Sequence, residues 1–134
     1  MSDTKNDSMP RPLVTVEVYI PKRLADLSEL YRFLRDAVSN RTGPVVLDGF
    51  TIYEGDGAFW DQGLFEERTL VLRLHWVPGD GGEQETRDRI KKLGRLLADE
   101  ISPRQHQIWI TASTGTLYVF EGSGLRAGRE QYEI

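Results

Sequence analysis

The 134-residue sequence contains no cysteine, only two histidines and no long hydrophobic run. The lack of cysteine excludes disulfide bonds, thiolate metal ligands and cysteine nucleophiles. No segment approaches the roughly 18 consecutive apolar residues that a membrane-spanning helix needs, and the polar N-terminus lacks the apolar core of a signal peptide. We therefore expect a cytoplasmic protein that is neither exported nor inserted in a membrane.

The sequence also lacks an excess of basic residues. It has 17 Lys and Arg against 21 Asp and Glu, a formal net charge of −4. Nucleic-acid binding depends on clustered Lys and Arg, so the overall charge does not favour it. The length is sufficient for one domain with its own core. We expect a single domain over residues 13–121, between a flexible tail at 1–12 and a C-terminal tail at 122–134.

A strand and then a helix are predicted at the start of this domain. Over residues 13–20, Val and Ile alternate with Thr, Glu and Tyr, the period of a half-buried strand, and Pro21 ends it. Asp26 and Glu29 have the spacing of a helix N-cap and its reciprocal carboxylate. Apolar residues recur at helical spacing after this cap, until the Asn, Gly and Pro of residues 40–44 end the helix.

Two further strands follow as an antiparallel pair. The second strand is predicted over residues 45–54. The third is predicted over residues 69–76, where Leu and Trp alternate with Thr, Val, Arg and His. The glycine-rich segment between them, residues 55–63, is predicted to be a loop or a bulged hairpin tip.

A second helix and a terminal hairpin complete the pattern. The helix is predicted over residues 83–101, and strands over residues 108–111 and 117–120 are separated by a turn at 113–116. The order β-α-β-β-α-β is the split βαβ pattern of the ferredoxin-like fold. We therefore predict an α+β ferredoxin-like sandwich with an added C-terminal strand.

The sheet face opposite the helices should be rich in aromatic residues. Its candidates are Tyr19, Tyr53, Trp109 and Tyr118. A surface with so many aromatic side chains favours either an oligomer interface or a ligand shelf. Because most oligomers are symmetric homo-oligomers, we expect a dimer or trimer.

Few residues could carry chemistry. His75 and His106 lack any local metal-ligand spacing, and the acids of the glycine-rich loop do not match an EF-hand. The glycine runs match neither a P-loop nor a dinucleotide-binding fingerprint, and no Gly-x-Ser-x-Gly elbow is present. We predict no metal site, no cofactor and no catalytic residues.

The loop at residues 54–67 is the most unusual segment, because Phe59 and Trp60 stand beside glycines and acids. These two side chains are either tucked against the end of the sheet or held out for a partner. The predicted ligand-binding or partner-binding residues are Tyr53, Glu54, Asp56, Phe59, Trp60, Arg73 and His75.

Two families resemble this segment. Gly49-Phe-Thr-Ile with Gly55 and Gly57 downstream is similar to the second strand and following loop of PII-like signalling proteins. This resemblance implies a ferredoxin-like oligomer whose loop between the second and third strands contacts a nucleotide or a protein. The segment also resembles a bacterial family of unknown function with a Gly-x-Thr strand, a Gly-x-Trp loop and a Glu-initiated strand. The matching positions are Gly49, Thr51, Gly57, Trp60, and Glu66 or Glu67.

These observations predict a non-enzymatic binding or regulatory module that acts as a homo-oligomer and engages a protein or small ligand through residues 54–67. One alternative is a small cofactor-independent enzyme of the dimeric ferredoxin-like type. Its pocket would lie between helices and sheet, with His75, Arg73 or Tyr53 in acid-base roles. The second alternative is nucleic-acid binding.

Overall fold

The computed structural model describes residues 9–101 and 107–122. Four strands, two α-helices, a 3-10 turn at Lys22–Leu24 and a π-helical turn at Leu97–Ile101 make up this part of the chain. The main elements are β1 (Arg11–Pro21), α1 (Leu27–Ser39), β2 (Gly49–Trp60), β3 (Leu64–Trp76), α2 (Gly82–Leu96) and β4 (Trp109–Leu117).

The strands form one antiparallel sheet in the order β2-β3-β1-β4. The connections through α1 and α2 are the two crossovers of a split βαβ arrangement. Both helices contribute side chains to the same core as β1 and β3, so they cover one face of the sheet. The predicted ferredoxin-like α+β fold is confirmed.

Apolar and polar residues alternate along the two central strands, β1 and β3, and the apolar side chains form the core. Val16 is in register with Leu74, and Val18 with Leu72, and all four are completely buried beneath the helices. Leu34 of α1 and Leu93 of α2 meet them and are also 0 % exposed. Burying each such side chain stabilises the fold by about 1.5–3 kcal/mol.

The helix boundaries follow from local capping. The predicted cap of α1 is present, with Oδ1 of Asp26 accepting the backbone N–H of Glu29 at 3.1 Å. At the start of α2 the Glu85 carboxylate accepts the N–H groups of Gly79 and Gly81, both at 3.1 Å. Gly82 adopts a φ of +65°, which glycine tolerates without strain.

The second strand differs from its prediction. It begins at Gly49 rather than residue 45 and runs through the predicted loop to Trp60. Val45 and Leu47 are buried, 4 % and 0 % exposed, but they enter the core from an irregular segment. Pairing with β3 continues from Gly49 to Trp60, so only residues 61–63 form a turn. Of the two predictions for residues 55–63, a loop or a bulged hairpin tip, the loop is wrong and the hairpin tip is limited to residues 61–63, because the ladder with β3 outweighs the local preference of the glycines.

The predicted terminal hairpin is also wrong. β4 continues without interruption through residues 113–116, because β1 offers pairing partners along its whole length, from Tyr19 opposite Trp109 to Arg11 opposite Leu117. In the described part of the chain, residues 118–120 form no additional strand. β1 itself begins at Arg11, in the segment assigned to the N-terminal tail.

Residues 54–67, which we call the hairpin arm, form the far end of the β2–β3 pair. Gly57 lies so close to β3 that a Cβ atom there would be 2.5 Å from Oγ1 of Thr69 and 3.1 Å from the Phe59 ring. Thr69 is only 3 % exposed, although it lies on the face without helices. The missing side chain at Gly57 therefore allows the arm to pack against this face.

We predict that Gly57→Ala destabilises the protein by about 1–3 kcal/mol, because the added methyl group overlaps Thr69. Urea unfolding measures the change. The matched control is Gly55→Ala, two residues earlier on the same strand, where a Cβ atom meets nothing within 4 Å. It should change the free energy of unfolding by no more than about 0.5 kcal/mol. Equal effects of the two substitutions would contradict the close approach at Gly57.

Candidate functional site

The face of the sheet opposite the helices, which we call the open face, carries a row of aromatic side chains. Tyr53 is in register with Val71, Val71 with Tyr19, and Tyr19 with Trp109. Val71 is only 7 % exposed between the two tyrosines. Three of the four predicted aromatic residues thus form one line across all four strands, and Tyr118 lies beyond the end of β4.

Glu17 is the polar centre of the open face. Its carboxylate accepts hydrogen bonds from the Tyr19 hydroxyl at 2.9 Å and the Tyr53 hydroxyl at 3.0 Å, and lies 3.6 Å from Nε of Arg73. The hydrogen bonds from Tyr19 and Tyr53, with a smaller effect of Arg73, lower the pKa of Glu17 against the opposing effect of burial. The bond to Glu17 in turn raises the pKa of Tyr53.

Glu17 was absent from the predicted site. In the sequence it is one polar residue of an alternating strand, and its importance comes from neighbours on three strands. Its position two residues before Tyr19, which places both side chains on one face, is the signal that could have identified it.

His75 lies on the same face, one row beyond Glu17. Its Nδ1 is 3.2 Å from the Thr15 hydroxyl oxygen. Burial, and then the charge of Arg73, lower the pKa of His75, which favours the neutral ring. The structure thus brings three predicted residues together on the open face, namely Tyr53, Arg73 and His75.

Glu54 and Asp56 project from the other side of the hairpin arm. Both accept hydrogen bonds from the Arg68 guanidinium, at 2.9 and 2.8 Å, and Glu54 also pairs with Lys22 at 2.8 Å. Hydrogen bonds from Lys22 and then Arg68 lower the pKa of Glu54. Exposed pairs of this kind contribute little stability. The Lys22–Glu54 pair connects the arm to the turn that follows β1. The two acids lie outside the group of side chains around Glu17 on the open face.

A cleft of about 160 Å³ lies where the hairpin arm meets the open face. The contact that closes it joins Phe59 to Trp109 edge-to-face, with ring centroids 5.5 Å apart and an interplanar angle of 83°. The Trp109 Nε1–H donates to Oε1 of Gln107 at 3.1 Å. The lining is mostly apolar and aromatic, with a few charged and polar groups: Tyr19, Pro21, Arg23, Leu24, Phe59, Asp61, Phe65, Glu67, Gln107 and Trp109.

Phe59 and Trp60 take different positions. Phe59 is tucked against the sheet, whereas Trp60 is 72 % exposed and points away from the cleft beside the exposed Leu64. The sequence left two alternatives open for this pair: tucked against the sheet, or held out for a partner. The first describes Phe59, and the exposed position of Trp60 is compatible with the second.

Among the described residues, no group of three or more His, Asp or Glu side chains is placed to hold a metal ion. His106 lies outside the described ranges. In residues 9–101 and 107–122, no helix is both long enough and apolar enough to cross a membrane.

No protein-family model matches the sequence, and no curated protein is similar to it. Among solved structures, a phage SAM lyase in complex with S-methyl-5'-thioadenosine has a TM-score of 0.53 at 11 % identity, over 81 % of this chain and 90 % of the lyase. CPII, a nitrogen regulatory PII-like protein from Thiomonas intermedia K12 bound to ADP, AMP and bicarbonate, has a TM-score of 0.45 at 14 % identity, over 82 % of this chain and 99 % of CPII. A Bacillus cereus protein related to NIF3 has a TM-score of 0.45 at 16 % identity, over 90 % of this chain and 30 % of that protein.

These likenesses concern the fold. At 11 % identity the similarity to the lyase shows a shared α+β architecture and assigns no residue a role. CPII is a PII-like protein, the kind of protein that the sequence weakly resembles. The resemblance to the bacterial family of unknown function stays a prediction.

We predict that Tyr53→Phe raises the pKa of Glu17, because it removes one of two hydroxyl donors to the carboxylate. A carboxylate with a lowered pKa stabilises the folded state above its unfolded pKa of about 4.3, and this contribution is lost as the pH falls through the folded pKa. The substitution should therefore reduce stability at pH 7 and have a smaller effect at pH 3. Carboxyl-carbon NMR titration of Glu17 and urea unfolding at the two pH values measure both effects.

The matched control is Tyr31→Phe on α1, where the half-exposed ring packs edge-on against Phe50. It should leave the Glu17 titration unchanged. A Glu17 pKa that is the same in wild type and Tyr53→Phe would show that the hydroxyl of Tyr53 does not stabilise the carboxylate.

Proposed function

We propose that this protein is a ligand-binding or regulatory module that acts as a homo-oligomer. In this proposal the open face is the assembly surface, and the inner side of the hairpin arm engages a small ligand in the cleft. The supporting observation is the concentration of half-exposed aromatic side chains on one face: Tyr53 is 44 %, Phe65 48 % and Trp109 45 % exposed. Contiguous exposed apolar surface of this kind is typical of an interaction site.

The cleft supports the ligand-binding part of the proposal. It is concave and mostly apolar, with a few polar groups at its edge, as is usual for small-molecule sites. Its volume of about 160 Å³ suits a small molecule or one group of a larger one. The phage SAM lyase, which has a similar fold, was solved with S-methyl-5'-thioadenosine. A domain of this architecture can therefore bind a small molecule, although that likeness identifies no ligand for this chain.

The rest of the open face supports assembly. Next to the aromatic row, Thr51, Arg73, Glu17 and Thr111 form a second row in register. Its central charges already pair with each other, so a second copy could cover them without leaving a charge unpaired. A surface of aromatic and paired polar groups matches the composition of protein interfaces.

The enzyme alternative required a closed pocket between helices and sheet. In the described part of the chain, the centre of that space is filled by fully buried side chains such as Leu34, Leu72 and Leu93, and open grooves lie at its two edges, between α1 and β2 and between α2 and β4. Of its acid-base candidates, Arg73 and His75 project from the opposite face, because they alternate along β3 with Leu72 and Leu74, and the Tyr53 hydroxyl donates to Glu17 on that face. These positions favour the binding module over the enzyme.

The nucleic-acid alternative required a basic surface on the central strands. Arg73, the cation at the middle of the open face, lies 3.6 Å from the Glu17 carboxylate. At the cleft, Glu67 is offset by Arg23, and Asp61 adds a negative charge. The local charge thus disfavours contact with phosphates.

The proposal predicts that native mass spectrometry of protein purified from cells shows a dimer or trimer. Ser113→Arg places a long cation on the open face at the edge strand β4, opposite Thr15, and should convert this oligomer to a monomer. The matched control, Ser39→Arg, makes the same change on the exposed last residue of α1, in the helical layer, and should leave the oligomer intact.

A monomeric wild-type protein without additional mass would overturn the proposal. An oligomer that persists in Ser113→Arg would show that assembly uses another surface.

A further inference from the structure

The cleft under the hairpin arm is walled by two cross-strand aromatic pairs. Phe59 and Phe65 are in register on the arm, and Tyr19 and Trp109 are in register on the sheet. The edge-to-face contact between Phe59 and Trp109 joins one pair to the other. Four aromatic side chains from four different strands therefore line a single space of about 160 Å³.

Among the described charged groups that line this space, one carboxylate has no cationic partner. Nε of Arg23 pairs with Oε2 of Glu67 at 2.9 Å, so these two charges offset each other. Asp61, in the turn at the tip of the arm, also lines the cleft, and its carboxylate has no ion pair or side-chain hydrogen bond with any residue that the structure describes. Among the lining residues that the structure describes, one negative charge is therefore left without a cationic partner.

An aromatic wall and a negative edge together favour a cation. The faces of aromatic rings carry negative potential and attract cations most strongly where water is excluded. Weakly hydrated cations with a methylated surface gain most, because their methyl groups also bury apolar area against the rings. The cleft volume of about 160 Å³ is enough for a trimethylated group.

We propose that this cleft binds a small organic cation of the onium class, an alkylated ammonium or sulfonium group. Its methyl groups contact Tyr19, Phe59, Phe65 and Trp109, and Asp61 offsets its charge. The inference rests on the proposed function, since it names the ligand class of the same cleft. The onium group can belong to a free small molecule or to a methylated lysine side chain.

The test compares choline with its neutral isostere 3,3-dimethylbutan-1-ol, at constant ionic strength. The two have the same shape and differ in charge. NMR titration follows the indole N–H of Trp109. We expect saturable shifts with choline and an affinity for the alcohol at least about fivefold lower.

Single substitutions identify the residues that contact choline. Phe59→Leu keeps an apolar side chain but removes the ring, and should weaken choline binding about three- to thirtyfold. Since Phe59 also closes the arm, Phe65→Leu provides a second test that keeps the Phe59–Trp109 contact. Asp61→Asn should weaken binding by about two- to fivefold. The control is Trp60→Leu, next to Phe59 but facing away from the cleft, which should bind choline as the wild type does.

A short Gly/Ser peptide with one trimethyllysine distinguishes the two sources of the onium group. Tighter binding of the peptide identifies a protein-borne group, tighter binding of choline identifies a free one, and either supports the proposal. Equal affinity for choline and the alcohol would overturn it.

Failure of every onium probe, together with an oligomer that carries additional mass, would overturn the onium assignment and leave the proposed function standing. A bare monomer in native mass spectrometry would overturn the proposed function itself.

Discussion

The close approach of Gly57 to Thr69 constrains the hairpin end of the sheet. Because residue 57 has no side chain, the backbone of the arm can lie against Thr69, which is only 3 % exposed on the face opposite the helices. Phe59, two residues further along the same strand, contacts Trp109. A side chain at residue 57 would also come within 3.1 Å of the Phe59 ring, so the cleft depends on this glycine as well as on the aromatic rings that line it.

The two faces of the sheet serve different purposes, and the alternation of each strand keeps them separate. On the helix side, Val and Leu fill the core completely, which gives the domain its stability. On the open side, Glu17 holds two tyrosine hydroxyls and lies beside Arg73. This arrangement satisfies a carboxylate without burying it deeply, so it costs little stability while fixing the orientation of the tyrosines. A surface ordered in this way is suited to meeting a partner or ligand with little further rearrangement.

The sequence was informative where local pattern and tertiary structure agree. The period of two in β1 and β3, and the cap at Asp26, predicted their elements because each depends on neighbours in the chain. The arm was predicted as a loop because glycines favour turns locally, whereas pairing with β3 decides their conformation. In the same way, β1 keeps residues 113–116 in a strand. The Phe59–Trp109 contact joins residues 50 positions apart, and no local pattern predicts such a contact.

The packing of the arm on the open face can be measured directly by NOE spectroscopy between the ring protons of Phe59 and the indole protons of Trp109. Our account predicts clear cross-peaks, since the ring centroids are 5.5 Å apart. It also predicts cross-peaks between Tyr19 and Trp109 from their pairing in adjacent strands. If the Tyr19–Trp109 cross-peaks are present and those from Phe59 are absent, the sheet is as described but the arm does not close over it, and the cleft on which the proposed function rests does not exist.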